Sequence, residues 1–456
     1  MARQRRLGKS SGGGFLRTTF FTVFFLLVAA ALAGAYFVFE FEQPTVNFGT
    51  EIKTLGGKVE LPLTAQDRKS GLGLIRMTLT QGEKSAVLFE KRFPRQGWIN
   101  NAGPKEFNEK VEIKAKEAGF QEGPAELNIT VRDQSLMGFL RGNKAESILP
   151  VTIDTTPPVV SIVDPRRYIQ PGGSAVIAYT VSEAPARHGV QIGGTFYSGF
   201  PGKKQGSYLA YFALPWDAKE AGAAAVVAYD AAGNEAKAGF SAVFKAVREK
   251  RDTITLSDSF LQSKMPEFKQ YYPEMKGDLL EQYLYVNGEI RKRNAQTIAE
   301  ICSKPEPEQL WSDRFLRMPG AGRAAFADQR SYLYQGRSVD EQTHLGVDIA
   351  STAQAEIRAA NRGKVVFAEY LGIYGNAVII DHGQGLFSLY SHLSSIETSS
   401  GTVVEKNQRI GRSGVSGMAG GDHLHFSMLI HGVFVTPVQW WDQHWIDVNI
   451  KAAVNG

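Results

Sequence analysis

The chain has 456 residues, 51 Lys plus Arg against 46 Asp plus Glu, and a net charge of +5. Hydrophobic residues make up 43% and charged residues 21%, enough apolar material for sizeable cores, so a wholly disordered chain is excluded. At roughly 150 residues per domain the length suggests about three domains. The mild basic excess, with no long basic tract after Arg17, lends no support to a nucleic-acid partner, and the lone cysteine, Cys302, excludes internal disulfides and multi-cysteine metal clusters.

Residues 1–17 carry Arg3, Arg5, Arg6, Lys9 and Arg17, and the next stretch, 18–39, has no charge. At 1.5 Å per residue that stretch spans a bilayer core. The positive flank predicts a cytoplasmic segment at 1–17, a transmembrane helix at 18–39, and export of everything beyond. This places a single-pass protein in the inner membrane with its bulk in the periplasm or outside the cell. A cleaved signal with a site at Ala33-Gly34-Ala35 is the rival reading; both readings export the rest of the chain.

The exported chain reads as mainly β. Residues 44–155 contain short alternating apolar and polar runs broken by turn residues. Pro157-Pro158 then marks a linker, and 159–246 repeats the pattern with five strand candidates. Both stretches resemble bacterial immunoglobulin-like modules, β-sandwiches that space or bind, which implies an envelope protein partner. His188, without a partner in sequence, is expected on a surface turn. Residues 250–335 suit helices, with Leu279, Tyr283 and Val286 on one face and Cys302 as a packing residue. This connector is expected to pack on the C-terminal region, and Arg291-Lys292-Arg293 to form a solvated face.

The remaining histidines, His344, His382, His392, His423, His425, His431 and His444, gather in the last quarter of the chain, in sequence that is β-rich and alternates between glycine-marked turns. In His344-Leu345-Gly346-Val347-Asp348 an extended chain puts positions 344, 346 and 348 on one face, with room for an ion over the glycine. In His423-Leu424-His425 a strand points both imidazoles one way, so that one can bind metal while the other handles protons. Together these supply donors for a three-ligand zinc site with an open fourth position, the pattern of hydrolytic zinc. His392, in Tyr390-Ser391-His392, could orient water or stabilise an oxyanion.

These blocks, with Gly375 to Gly383 and the final His-Leu-His-Phe, closely resemble the LytM/lysostaphin-type zinc metallopeptidases of peptidase family M23 over roughly residues 340–440. The resemblance implies an antiparallel-β peptidase domain at 336–445. It puts one Zn2+ on His344, Asp348 and His425, and non-ligand catalytic roles on His392 and His423. It implies cleavage of peptide cross-links in peptidoglycan; the competing reading is a non-enzymatic activator of cell-wall amidases, or an envelope scaffold, built on the same domain. Two features depart from the family pattern. The segment Gly414 to Asp422 replaces a shorter turn before the last motif, and Ser427 stands where the family usually has an acid. His382 is expected to be structural, His431 could touch the groove, and His444 is expected to pack among Trp440, Trp441 and Trp445.

Overall fold

The computed structural model describes residues 12–38, 40–49, 51–97 and 102–455. Arg3, Arg5, Arg6 and Lys9 of the basic flank, and Phe39, lie outside them. The apolar stretch is one helix, Gly12–Val38, which begins ahead of the expected boundary. Its Arg17–Gly34 portion is long and apolar enough to cross a membrane, and none of it is buried. Phe20, Phe21, Phe24 and Leu27 are exposed along it, the opposite of a soluble core helix. Beyond this helix the chain is mainly β and divides into two compact units. One comprises residues up to Thr156 with Ala231–Asn234; the other comprises Pro157–Asp230 and Glu235–Gly456.

The first unit pairs a three-stranded sheet, Thr45–Asn47, Val59–Gln66 and Glu106–Ile113, with a five-stranded sheet whose centre is Gly123–Asp133. Period-two alternation places Ala125, Leu127, Ile129 and Val131 inward along that central strand. They meet Leu61, Leu63, Phe107 and Val111 of the smaller sheet in one cluster, the layered core of a sandwich.

In the second unit the strands between Val160 and Phe244 form five- and four-stranded sheets. Val176, Tyr211 and Phe212 belong to the same apolar cluster as Trp311, Phe315, Tyr390 and Trp440 of the C-terminal part. Ser174 Oγ accepts the Trp440 indole N–H at 3.1 Å, so this β region and the C-terminal sheet are one packed body. His188 lies in the strand Arg187–Ile192, not on a turn, 2.6 Å from Tyr179 Oη.

The stretch at 250–335 holds strands as well as helices. Arg251–Leu256 pairs in parallel with Asp328–Tyr334. Between them lie Asp258–Tyr271, capped by Ser257 Oγ on Phe260 N–H, then Leu279–Tyr285, opened by the Asp278/Glu281 capping box, and Arg291–Ile301. Leu261, Met265, Phe268, Tyr283, Ile298 and Cys302 cover one face of the large C-terminal sheet, against Ala377, Ile379, Phe387, Leu389 and Leu429. The alternate residues Val378, Ile380, Leu386, Tyr390, Met428 and Ile430 fall in the core shared with the second β region. Burial on both faces explains why Leu386–Ile396 and Leu424–Ile430 are nearly continuous buried runs rather than alternating buried and exposed residues.

Candidate metal centre

Two sheets converge on the site. His344 ends the strand Arg337–His344 of a three-stranded sheet, while Asp348 sits in Val347–Ala350 of the ten-stranded sheet. The chain bends at Leu345-Gly346, so the expected continuous extended face is absent. Gly346 makes room for protein rather than an ion. A Cβ there would lie 2.5 Å from His425 Nε2 and 2.7 Å from Ser427 Oγ, closer than any side chain permits. Asp348 is the cross-strand partner of His425, which sets carboxylate beside imidazole.

The three side chains are buried and meet at one point. His344 Nε2 is 2.8 Å from Asp348 Oδ1, His425 Nδ1 is 2.9 Å from the same oxygen, and the two nitrogens are 2.9 Å apart. Their second nitrogens show what those inner atoms are. His344 Nδ1 is 2.8 Å from the Ala325 carbonyl, which accepts only a proton. Ser427 donates its hydroxyl to the Leu345 carbonyl at 2.8 Å, so its remaining lone pair accepts from His425 Nε2 at 3.1 Å. Both tautomers are thereby set, and each leaves an unprotonated nitrogen facing the other and the carboxylate. Two lone pairs and an anionic oxygen within hydrogen-bonding distance repel unless a cation lies among them, and this N,N,O set fits zinc. Ser427, the departure from the expected acid, is the residue that orients His425.

Burial opposes the charge on Asp348, but the three imidazoles beside it, those of His344, His423 and His425, hold its carboxyl below the ordinary carboxylate range. Burial depresses His425 to about 4. Arg330 donates from Nη2 to Asp348 Oδ2 at 3.0 Å. Sequence reasoning passed over Arg330, whose strand carries no motif and reaches Asp348 only through the meeting of two sheets.

His423 and His392 stand beside the trio, with ring centroids 4.9 Å apart. His423 Nδ1 is tied to the Gly421 carbonyl at 2.7 Å, and its Nε2 lies 3.6 Å from Asp348 Oδ1. His392 Nδ1 is tied to the Ser416 carbonyl at 2.9 Å, and burial, then His423 and His425, push its pKa well below the ordinary value. Strand parity alone would turn His392 away from the site. The pairing register shifts beside it, between Leu393 and Ser395, and its φ is 63°, a left-handed conformation uncommon outside glycine and found where a side chain is re-aimed.

A groove of about 770 Å3 opens over these residues, with Phe260, Ser263 and Lys264 of the Asp258–Tyr271 helix and Met418 in its walls. That helix grips the rim segment expected to be reshaped. Lys264 Nζ donates to the Val415 carbonyl, and Glu267 accepts from Gly417 N–H at 2.8 Å. His382 is buried between the Arg362 carbonyl and Ser388 Oγ, a structural role. His431 does not reach the groove; it stacks on Phe200 at 5.8 Å. His444 is exposed rather than packed among the tryptophans.

The profile of peptidase family M23 matches residues 342–437. The chain is 39% identical over 95 residues to the DD-carboxypeptidase/endopeptidase Mpg of Neisseria meningitidis, covering 21% of this chain and 22% of that protein. It is 35% identical over 95 residues to the murein hydrolase activator EnvC of Escherichia coli, covering 21% and 23%. The chain thus spans about a fifth of the length of these curated relatives. Among solved structures, a putative M23 peptidase from Pseudomonas aeruginosa aligns with a TM-score of 0.39 and 20% identity over 60% of this chain and 94% of that one.

Proposed function

Residues 342–437 are a peptidase family M23 domain, and from this premise we propose that the chain is a zinc-dependent endopeptidase that hydrolyses peptide cross-links of peptidoglycan. The observation that carries the reading is the convergence of two unprotonated imidazole nitrogens and one carboxylate oxygen beside two further histidines that the trio does not use. A scaffold has no need of that inventory.

In this reading His344, Asp348 and His425 hold the zinc, which supplies Lewis acidity at the scissile carbonyl. His392 and His423 are equipped alike. Each has Nδ1 fixed on a backbone carbonyl, which sets the ring plane and leaves Nε2 to exchange a proton. One ring takes a proton from the attacking water, and the pair returns one to the departing amine. The groove between the sheet and the Asp258–Tyr271 helix receives an extended peptide, and burial of the site restricts water to the reacting face. The apolar N-terminal helix anchors the chain in the inner membrane with the remainder outside, beside the wall, and the β region of the first unit is free to engage an envelope protein.

Purified full-length protein with zinc should convert cross-linked muropeptide dimers of isolated sacculi into monomers, read by mass analysis of the fragments, and His425→Ala should not. If the wild-type chain leaves the fragment profile unchanged yet stimulates a cell-wall amidase, the endopeptidase reading fails and the activator reading, the role named for the EnvC relative, replaces it.

A further inference from the structure

A second cluster of donor groups lies in the first unit, where the peptidase chemistry has no part. Glu40, Asp67 and Asp133 are 3%, 3% and 4% exposed, and each offers an oxygen within 4.8 Å of the other two. Most of their oxygens are held by backbone or amide N–H groups. Ser70 N–H donates to Glu40 Oε2 at 2.9 Å, Gly71 N–H to Asp67 Oδ1 at 2.5 Å, and Ser135 and Asn143 N–H to Asp133 Oδ1 at 2.9 and 2.7 Å. Asn143 Nδ2 donates to Asp133 Oδ2 at 2.8 Å. Two oxygens are left over. Glu40 Oε1 and Asp67 Oδ2 are buried with no hydrogen-bond partner among the described residues.

A buried carboxylate oxygen without a donor is destabilising, and three carboxylates packed together repel one another besides. Burial raises the pKa of both Glu40 and Asp67, and the neighbouring carboxylates add to it in each case. Lys105 offsets part of this at Asp67, but its ammonium donates to the Lys69 carbonyl. We propose that Glu40, Asp67 and Asp133 bind a hard divalent cation, calcium. The donors are oxygen only, which disfavours zinc and copper. Their burial leaves little space for the retained water shell that magnesium keeps, whereas calcium accepts carboxylates and carbonyls in irregular numbers.

The location gives the ion a consequence. Glu40 lies just beyond the apolar helix in sequence, and Asn143 Nδ2 also reaches the carbonyls of Glu40 and Glu42 at 2.9 and 3.0 Å. Asp67 and Asp133 belong to the body of the β unit, at the ends of the strands Val59–Gln66 and Gly123–Asp133. Calcium bound by all three clamps the segment leaving the helix onto the folded β unit.

The test uses full-length, zinc-loaded protein in detergent, with calcium uptake measured by equilibrium dialysis and unfolding followed by heat. The wild-type chain should take up about one calcium, and its earliest transition should rise by about 5 °C or more at saturation relative to EGTA. Asp67→Asn and Glu40→Gln should each weaken uptake by about 100-fold and remove the shift. Either suffices if the other does not fold. His425→Ala, aimed at the zinc site alone, should leave calcium uptake intact. Absence of uptake by the wild type would overturn the proposal. So would equal uptake by the folded variants, loss of uptake in His425→Ala, or magnesium binding as tight as calcium.

Discussion

The two buried donor clusters differ in the atoms they present. At His344, Asp348 and His425 two imidazole nitrogens and a carboxylate share one point; at Glu40, Asp67 and Asp133 every donor is oxygen. Each is surrounded by groups that hold its outer atoms, the Ala325 carbonyl and Ser427 in the first, backbone N–H groups in the second. The difference teaches that burial alone does not select an ion; the donor type does, with borderline nitrogen ligands for zinc and hard oxygens for calcium. The nitrogen cluster has two further imidazoles beside it, His392 and His423, and a groove of about 770 Å3 opens over it. In the functions proposed above, the first cluster serves chemistry and the second holds the chain together.

The contrast breaks most sharply on ligand removal. His344→Ala, Asp348→Ala and His425→Ala should each lower zinc content from about one per chain to a small fraction, by elemental analysis, and abolish sacculus hydrolysis; full occupancy in all three would reject the assignment. Next in size, His392→Ala and His423→Ala should retain zinc but lower turnover by about 10²-fold or more, with substrate binding less affected. Loss of zinc from either variant would mean that the division into holders and proton handlers is wrong. Ser427→Ala should weaken zinc binding by about tenfold, measured by competition with a chelator, because His425 loses the acceptor that fixes its tautomer.

The smallest effect separates the two units by pH. In the second unit burial holds His382 and His431 at about 4, below the ordinary value of 6.5, so the unfolded chain binds their protons first. Their contribution to stability is complete above pH 6.5 and is lost as pH falls toward 4. Asp381, raised to about 6 by burial, acts in the opposite sense and offsets part of this. In the calcium-free first unit the raised Glu40 and Asp67 carboxyls favour the protonated fold, so stability declines as pH rises through the carboxylate range. Acidification from pH 7 to pH 4.5 in EGTA should therefore lower the melting midpoint of the second unit by several degrees and spare or raise that of the first. Parallel shifts in both would contradict these environments.

What could be read in the sequence was local. An uncharged stretch long enough for a bilayer, period-two runs, and histidines spaced so that one strand presents two of them are properties of neighbouring residues, and they persist wherever the chain is placed. His344, Asp348, His423 and His425 were legible for this reason, although the bend at Leu345-Gly346 was not. Tertiary structure alone decided the rest. The large sheet is buried on both faces because helices and the second β region happen to cover opposite sides. His392 enters the site only through a register shift and a left-handed backbone. Arg330 reaches Asp348 only where two sheets meet. Glu40, Asp67 and Asp133 come from three separated segments with no motif among them, and their proximity exists only after the sandwich has closed. Spacing along the chain records which groups share a strand; which strands share a point is set by packing.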